Sequence, residues 1–102
     1  MVVIEKLSEL IEEELEDSEK YVKCAIKHDL DTELSDVFYN LSKQEMHHVE
    51  MLHGQVARLI NEYKSDGKTV PEDMLRVYEY LHSKHIEKAN AIKSLMETYT
   101  GQ

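Results

Sequence analysis

The chain is 102 residues long, 41% hydrophobic and 32% charged, the composition of one globular domain spanning 1–102 rather than of a disordered tail or a membrane protein. At this size folding buries roughly 60–70% of the unfolded surface, and Cys24, the only cysteine, excludes an internal disulfide, a Cys-x-x-Cys zinc site and a rubredoxin-type iron centre. Twelve Lys and Arg against 21 Asp and Glu leave a formal charge of −9, which repels nucleic-acid phosphates and anionic lipids but favours metal cations.

No apolar run approaches the roughly 18 residues of a membrane span, and the opening Met1-Val2-Val3-Ile4-Glu5-Lys6 lacks the basic flank and apolar stretch of an export signal. A cytoplasmic protein without nucleic-acid or membrane partners is therefore expected. Three glycines and one proline are too few to punctuate a many-stranded protein, so the fold class is all-α.

In chain order, the first helix is predicted over residues 3–28, with an apolar seam of Ile4, Leu7, Ile11, Glu14, Ser18, Tyr21 and Ala25. It ends at His28-Asp29-Leu30-Asp31-Thr32, where Asp31 or Thr32 can cap the next helix. The second helix is predicted over 32–64, with the seam Leu34, Phe38, Leu41, Glu45, His48, Leu52, Val56, Leu59 and Tyr63. Gly67 is fit to end it. A Thr69/Glu72 capping box with Pro71 in the first turn then opens the third helix, over 70–99. Its seam reads Met74, Tyr78, Leu81, His85, Ala89, Ile92, Met96 and Tyr99. Short connections make the three helices antiparallel neighbours, an up-down-up bundle.

Chemistry is suggested by the polar members of these seams. At about 100° per residue, Glu14 points near the centre of its stripe while Glu12, Glu13 and Glu16 turn away. Glu45 and His48 lie on the second seam, whereas His47, Glu50 and His53 project to the sides and are expected to be solvated. Glu14 lies sixteen residues before Leu30 and Glu45 fifteen after it, so in antiparallel helices the two carboxylates stand level. His48 is one turn further along the same face. An isolated buried carboxylate costs several kcal/mol or neutralises, so three converging groups in the interior require partners. Two carboxylates and an imidazole suit Fe(II), Mn(II) or Zn(II).

Glu14 with Tyr21 seven residues later, then Glu45-Met46-His47-His48 as Glu-x-x-His on the next helix, resembles the first half of the ferritin-like family, which includes rubrerythrins and bacterioferritins. The resemblance covers about residues 3–63. It implies half of a di-iron carboxylate centre, with Glu14 a terminal ligand, Glu45 bridging and His48 capping one iron, and an activity of oxidising Fe(II) or reducing peroxide. The family's chains have four helices and repeat the half-site, whereas this chain has three. The Glu-x-x-His of its third helix, Glu79-Tyr80-Leu81-His82, has Glu79 aimed away from the third seam. Two copies of the chain would instead supply four carboxylates and two imidazoles across a two-fold axis, making a homodimer the functional unit. Without a rubredoxin-like cysteine cluster, a peroxidase cycle needs a separate electron donor.

Within one chain, His85 is about level with His48, so Glu14, Glu45, His48 and His85 form an alternative mononuclear set, with His82 on its flank. Tyr21 is a core tyrosine or a hydrogen-bonding partner of Glu45. Other readings are a helical interaction protein whose polar cluster sets dimer register and a structural zinc-binding bundle.

Overall fold

Three helices make up the chain: α1 (Val2–Lys27), α2 (Thr32–Ser65) and α3 (Glu72–Thr100). The computed structural model describes residues 2–67 and 71–100, apart from the side chain of Met74. Helix ends fall within two residues of those expected. Asp31 caps α2, its Oδ1 accepting from the Leu34 amide at 3.2 Å, and satisfies one of the donors left free at a helix start. At the other end Gly67 adopts φ 76°, a left-handed conformation that favours glycine, and its amide donates to the Lys64 carbonyl at 3.1 Å. Pro71 lies just outside α3, and its carbonyl accepts from the Leu75 amide at 3.0 Å. Thr69, the other half of the expected capping box, lies outside the described residues, as does the Met74 side chain at the head of the third seam.

α1 is the central element, packed against both α2 and α3. The core that results joins Ile4, Ile11, Leu15 and Val22 of α1 to Met46, Val49 and Val56 of α2 and Ile92 of α3. Ser18 on α1 meets Ser42 on α2, and four residues earlier Glu14 meets His48, so the two helices run antiparallel. α2 and α3 meet through side chains: the Tyr99 hydroxyl donates to Asp36 Oδ1 at 2.6 Å and lies 2.8 Å from Ser35 Oγ, while its ring stacks on Tyr39. The result is a rod of 56 × 21 × 18 Å. Among the described residues no helix is long and apolar enough to cross a membrane.

The third seam is as expected, with His85 and Ile92 buried and Tyr78, Leu81, Ala89, Met96 and Tyr99 half-buried. The other two are partly turned: Ile4, Ile11, Ser18 and Ala25 of α1 and Val56 of α2 are buried as expected, and the remaining buried positions differ. α1 buries Ile4, Ser8, Ile11, Leu15, Ser18, Val22 and Ala25, so Ser8, Leu15 and Val22 replace Leu7, Glu14 and Tyr21. α2 buries Ser35, Ser42, Met46 and Val49, each one residue on from Leu34, Leu41, Glu45 and His48, together with the expected Val56. The physical reason is close approach. Ser18 Oγ donates to the Ser42 carbonyl at 2.9 Å and Ser42 Oγ to the Ser18 carbonyl at 2.7 Å. Only small side chains let two backbones come within reach of such bonds. Ranking positions by apolar bulk puts Leu41 on the contact line of α2, one residue away from the Ser42 that occupies it, whereas Ser18 already lies on the expected seam of α1.

Candidate metal centre

From that serine crossing the two helices run side by side, and one turn further along, Glu14 of α1 comes opposite Glu45 and His48 of α2. His48 Nδ1 lies 3.4 Å from Glu14 Oε2 and 3.8 Å from Glu45 Oε1. One donor atom from each of the three residues lies within 4.8 Å of the others, a spacing from which a metal ion can be held. Among the described residues neither acid pairs with a lysine or arginine, and His48 is the ion-pair partner of both.

The group sits at the rim of the helix pair, not in the bundle interior as expected. The side chains of Glu14, Glu45 and His48 are 29%, 19% and 49% exposed. This follows from the turned seams: when Leu15, Ser18, Ser42 and Val49 take the contact line, their neighbours Glu14, Glu45 and His48 move to its edge. Partly hydrated carboxylates do not carry the full cost of burial, so in the single chain no cation is needed to make their position tolerable. Convergence of the donor atoms is the feature that remains.

The rim in question faces away from α3. The negative charge of Glu12 is felt by His85 of α3, so that flank of α1 looks toward the third helix. Glu14, two residues and about 200° further round, looks the other way. On α2, Ser35, Asp36, Tyr39 and His53 touch α3, and Lys43, Met46, His47 and Glu50 line a pocket with Lys93 and Met96 of α3, while His48 is turned about 100° or more from each of these positions. Along the same faces of the two helices, at helical spacing from the group, lie half-buried Leu7, Leu10, Leu41 and Leu52, with Met51 58% exposed and Leu34, three turns away, 40% exposed. Tyr21 stacks its ring on Phe38, centroids 6.4 Å apart, and makes no hydrogen bond to Glu45 among the described residues. His47 is exposed, as expected. Cys24 is half-buried and free.

His82 and His85 belong to a different place. Both lie on α3 against His53 of α2, with ring centroids 5.0 Å (His53–His82) and 6.1 Å (His53–His85) apart. Glu14, Glu45, His48 and His85 therefore do not close round one ion within a chain. His53, expected to be solvated, is half-buried between α2 and α3. Burial pushes its pKa below the usual imidazole value, and the neighbouring His82 and His85 lower it further. For His85, burial likewise lowers the pKa; Glu12 opposes the shift and His82 adds to it. The signal that would have found His53 is the level count used for Glu14 and Glu45, applied across the second turn. His53 precedes the end of α2 by about as many residues as His82 and His85 follow the start of α3.

Comparison of the chain with models of protein families, with curated proteins and with solved structures finds no match in any of the three.

Proposed function

We propose that two copies of the chain pair through the rim that carries Glu14, Glu45 and His48, forming a ferritin-like dimer with a dinuclear carboxylate/histidine metal centre, iron being the metal. The observation that carries this reading is the convergence of two carboxylates and one imidazole, from two helices, within 4.8 Å on the side away from α3. It is half of a six-ligand set, and a two-fold axis beside it supplies the other half. The exposed apolar residues on the same face of α2, Met51 beside His48 and Leu34 three turns from Glu45, would be covered by the second copy.

The donor set fits the metal. Hard carboxylate oxygens with a single borderline nitrogen suit Fe(II), and Mn(II) or Zn(II) satisfy the same donors. Glu14 would bind one ion terminally, Glu45 would bridge, and His48 would cap, its Nδ1 already facing both acids. A pair of irons in such a set supplies two-electron redox chemistry, used to oxidise Fe(II) or to reduce peroxide. The two carboxylates provide negative charge that attracts the cations, and their partial exposure leaves an entry path for them. With Cys24 the only cysteine, electrons for a peroxidase cycle would come from a separate donor.

The test is to purify the protein without an affinity tag, load it anaerobically with Fe(II), and measure mass and metal together. About two irons per dimer are expected, both lost with Glu45→Ala or His48→Ala. A metal-free dimer indifferent to either change would overturn the reading in favour of a helical interaction protein whose polar rim sets register. Tightly held zinc that is inert to dioxygen and peroxide would assign the group a structural role instead.

A further inference from the structure

His53, His82 and His85 converge on the opposite side of the molecule from Glu14, Glu45 and His48, and the proposed centre makes no use of them. Three imidazoles from two helices meet in the groove between α2 and α3. His53 stands at the middle, 5.0 Å from His82 and 6.1 Å from His85 between ring centroids. His82 and His85 are one turn apart on α3, so they project from the same side of that helix. His85 is buried, and His53 and His82 are half-buried. His82 Nδ1 is buried without a hydrogen-bond partner among the described residues. Buried polar nitrogens are almost always satisfied, so this one calls for a partner.

We propose that His53, His82 and His85 form a second, mononuclear metal site of the tris-imidazole type, selective for Zn(II) over the Fe(II) of the carboxylate rim.

The ring spacing suits this. With zinc–nitrogen bonds of about 2.0–2.1 Å and tetrahedral angles, the centroids of two ligating imidazoles stand about 5 Å apart. His53 and His82 are already at that separation, whereas the three donor nitrogens as the rings stand do not all lie within 4.8 Å of one another, so binding requires the His85 ring to rotate and close on both. Tyr78 stacks on His82 at 5.6 Å and 19°, holding the plane of that ring. Glu12 of α1 is the acid whose charge reaches His85, giving the site one negative neighbour. A set of imidazoles with no carboxylate selects zinc, nickel, cobalt or copper over calcium, magnesium or manganese. Burial also favours the neutral ring that a metal requires at both His53 and His85. Three protein ligands leave a fourth, open position. That number is typical of catalytic zinc sites, whereas structural ones are closed by four.

The experiment uses Co(II) as an optical substitute for zinc, in the 102-residue chain carrying Glu45→Ala/His48→Ala so that the carboxylate rim does not contribute. One Co(II) per chain is expected, with the intense visible bands of four-coordinate cobalt, displaced by one equivalent of Zn(II). His53→Asn should weaken binding by more than about tenfold, the least that loss of even an outer-shell group costs. His82→Asn should do the same, and His47→Asn should change nothing. Helicity measured by circular dichroism on each variant separates loss of a ligand from loss of fold. Weak six-coordinate bands, no binding, or binding unaffected by His53→Asn in a folded chain would overturn the assignment and leave the three rings as packing between α2 and α3.

Discussion

Ser18 and Ser42 each donate a hydroxyl to the other's backbone carbonyl, at 2.9 and 2.7 Å, with 2.9 Å between the hydroxyl oxygens. This exchange between fully buried side chains holds the α1 and α2 backbones within side-chain hydrogen-bonding reach, and Glu14 faces His48 one turn of α1 away. Ser42→Ala removes one donor and should cost about 1 kcal/mol in urea denaturation. Ser18→Leu forces a large side chain into the same contact and should cost about 1–3 kcal/mol or more. By spreading the helices it should also draw Glu14 from His48 and weaken iron binding, which Ser42→Ala should preserve. Equal loss of iron in both variants would show that the crossing does not set the spacing of the rim.

Met51 is exposed on the proposed pairing face and is not a ligand. Met51→Glu should leave the stability of the single chain within about 0.5 kcal/mol, as surface changes usually do. Sedimentation should nevertheless show monomers, with a matching fall in bound iron. A charged residue placed at a dimer contact has no counter-charge and must be desolvated. A Met51→Glu chain that still sediments as an iron-loaded dimer would exclude pairing through this face.

The metal-free protein should lose stability on mild acidification. His53 and His85 have pKa values below the usual 6.5 in the folded chain, chiefly through burial. In the window between the folded pKa and 6.5 the unfolded chain therefore binds more protons, so stability rises with pH there. The contribution is complete above about pH 6.5 and is lost as pH falls through the folded values. Glu12 from α1 limits the effect at His85, and His82 reinforces it at both residues. Urea midpoints between pH 5 and 8 should fall toward acid in the parent chain, and His53→Asn should flatten the curve. An unchanged slope in that variant would remove His53 from the acid response.

Tyr99 ties the end of α3 to the start of α2, and its hydrogen bond to the Asp36 carboxylate pushes its pKa above the usual 10.0, partly offset by Ser35. A raised pKa means that the folded chain favours the protonated hydroxyl. The contribution is full below pH 10 and disappears as pH climbs through the folded value. Tyr99→Phe should lower the urea midpoint at neutral pH and make the loss of stability at alkaline pH less steep. Asp36→Asn should bring the tyrosine's optical titration back toward 10. A titration unmoved by Asp36→Asn would show that the carboxylate is not what raises it.

Asp31 offers a purely local test. Its Oδ1 accepts the Leu34 amide at the start of α2, and Asp31→Ala should cost about 1 kcal/mol. Asp31→Asn keeps a capping oxygen and should recover most of it, whereas equal losses in both variants would count against the cap.

The number of helices, their ends and the third seam were all legible in the linear chain, because caps, glycine and 3.6-residue periodicity act over a few residues. Asp31, Gly67 and Ile92 needed no knowledge of distant neighbours. The level match of Glu14 with Glu45 and His48 was legible too, since it follows from residue counts on either side of a short turn. Which way each helix turns about its own axis depends on what its partner presents. Close approach at Ser18 and Ser42 is favoured by hydroxyl–carbonyl bonds that no single helix contains; Ser8, Leu15 and Val22 of α1 and Ser35, Ser42, Met46 and Val49 of α2 enter the buried rows, while Ile4, Ile11, Ser18, Ala25 and Val56 stay where periodicity puts them. That rotation moved Glu14, Glu45 and His48 from the interior to the rim. The meeting of His53 with His82 and His85 likewise depends on how α2 and α3 lie together, a matter of packing between residues about thirty positions apart.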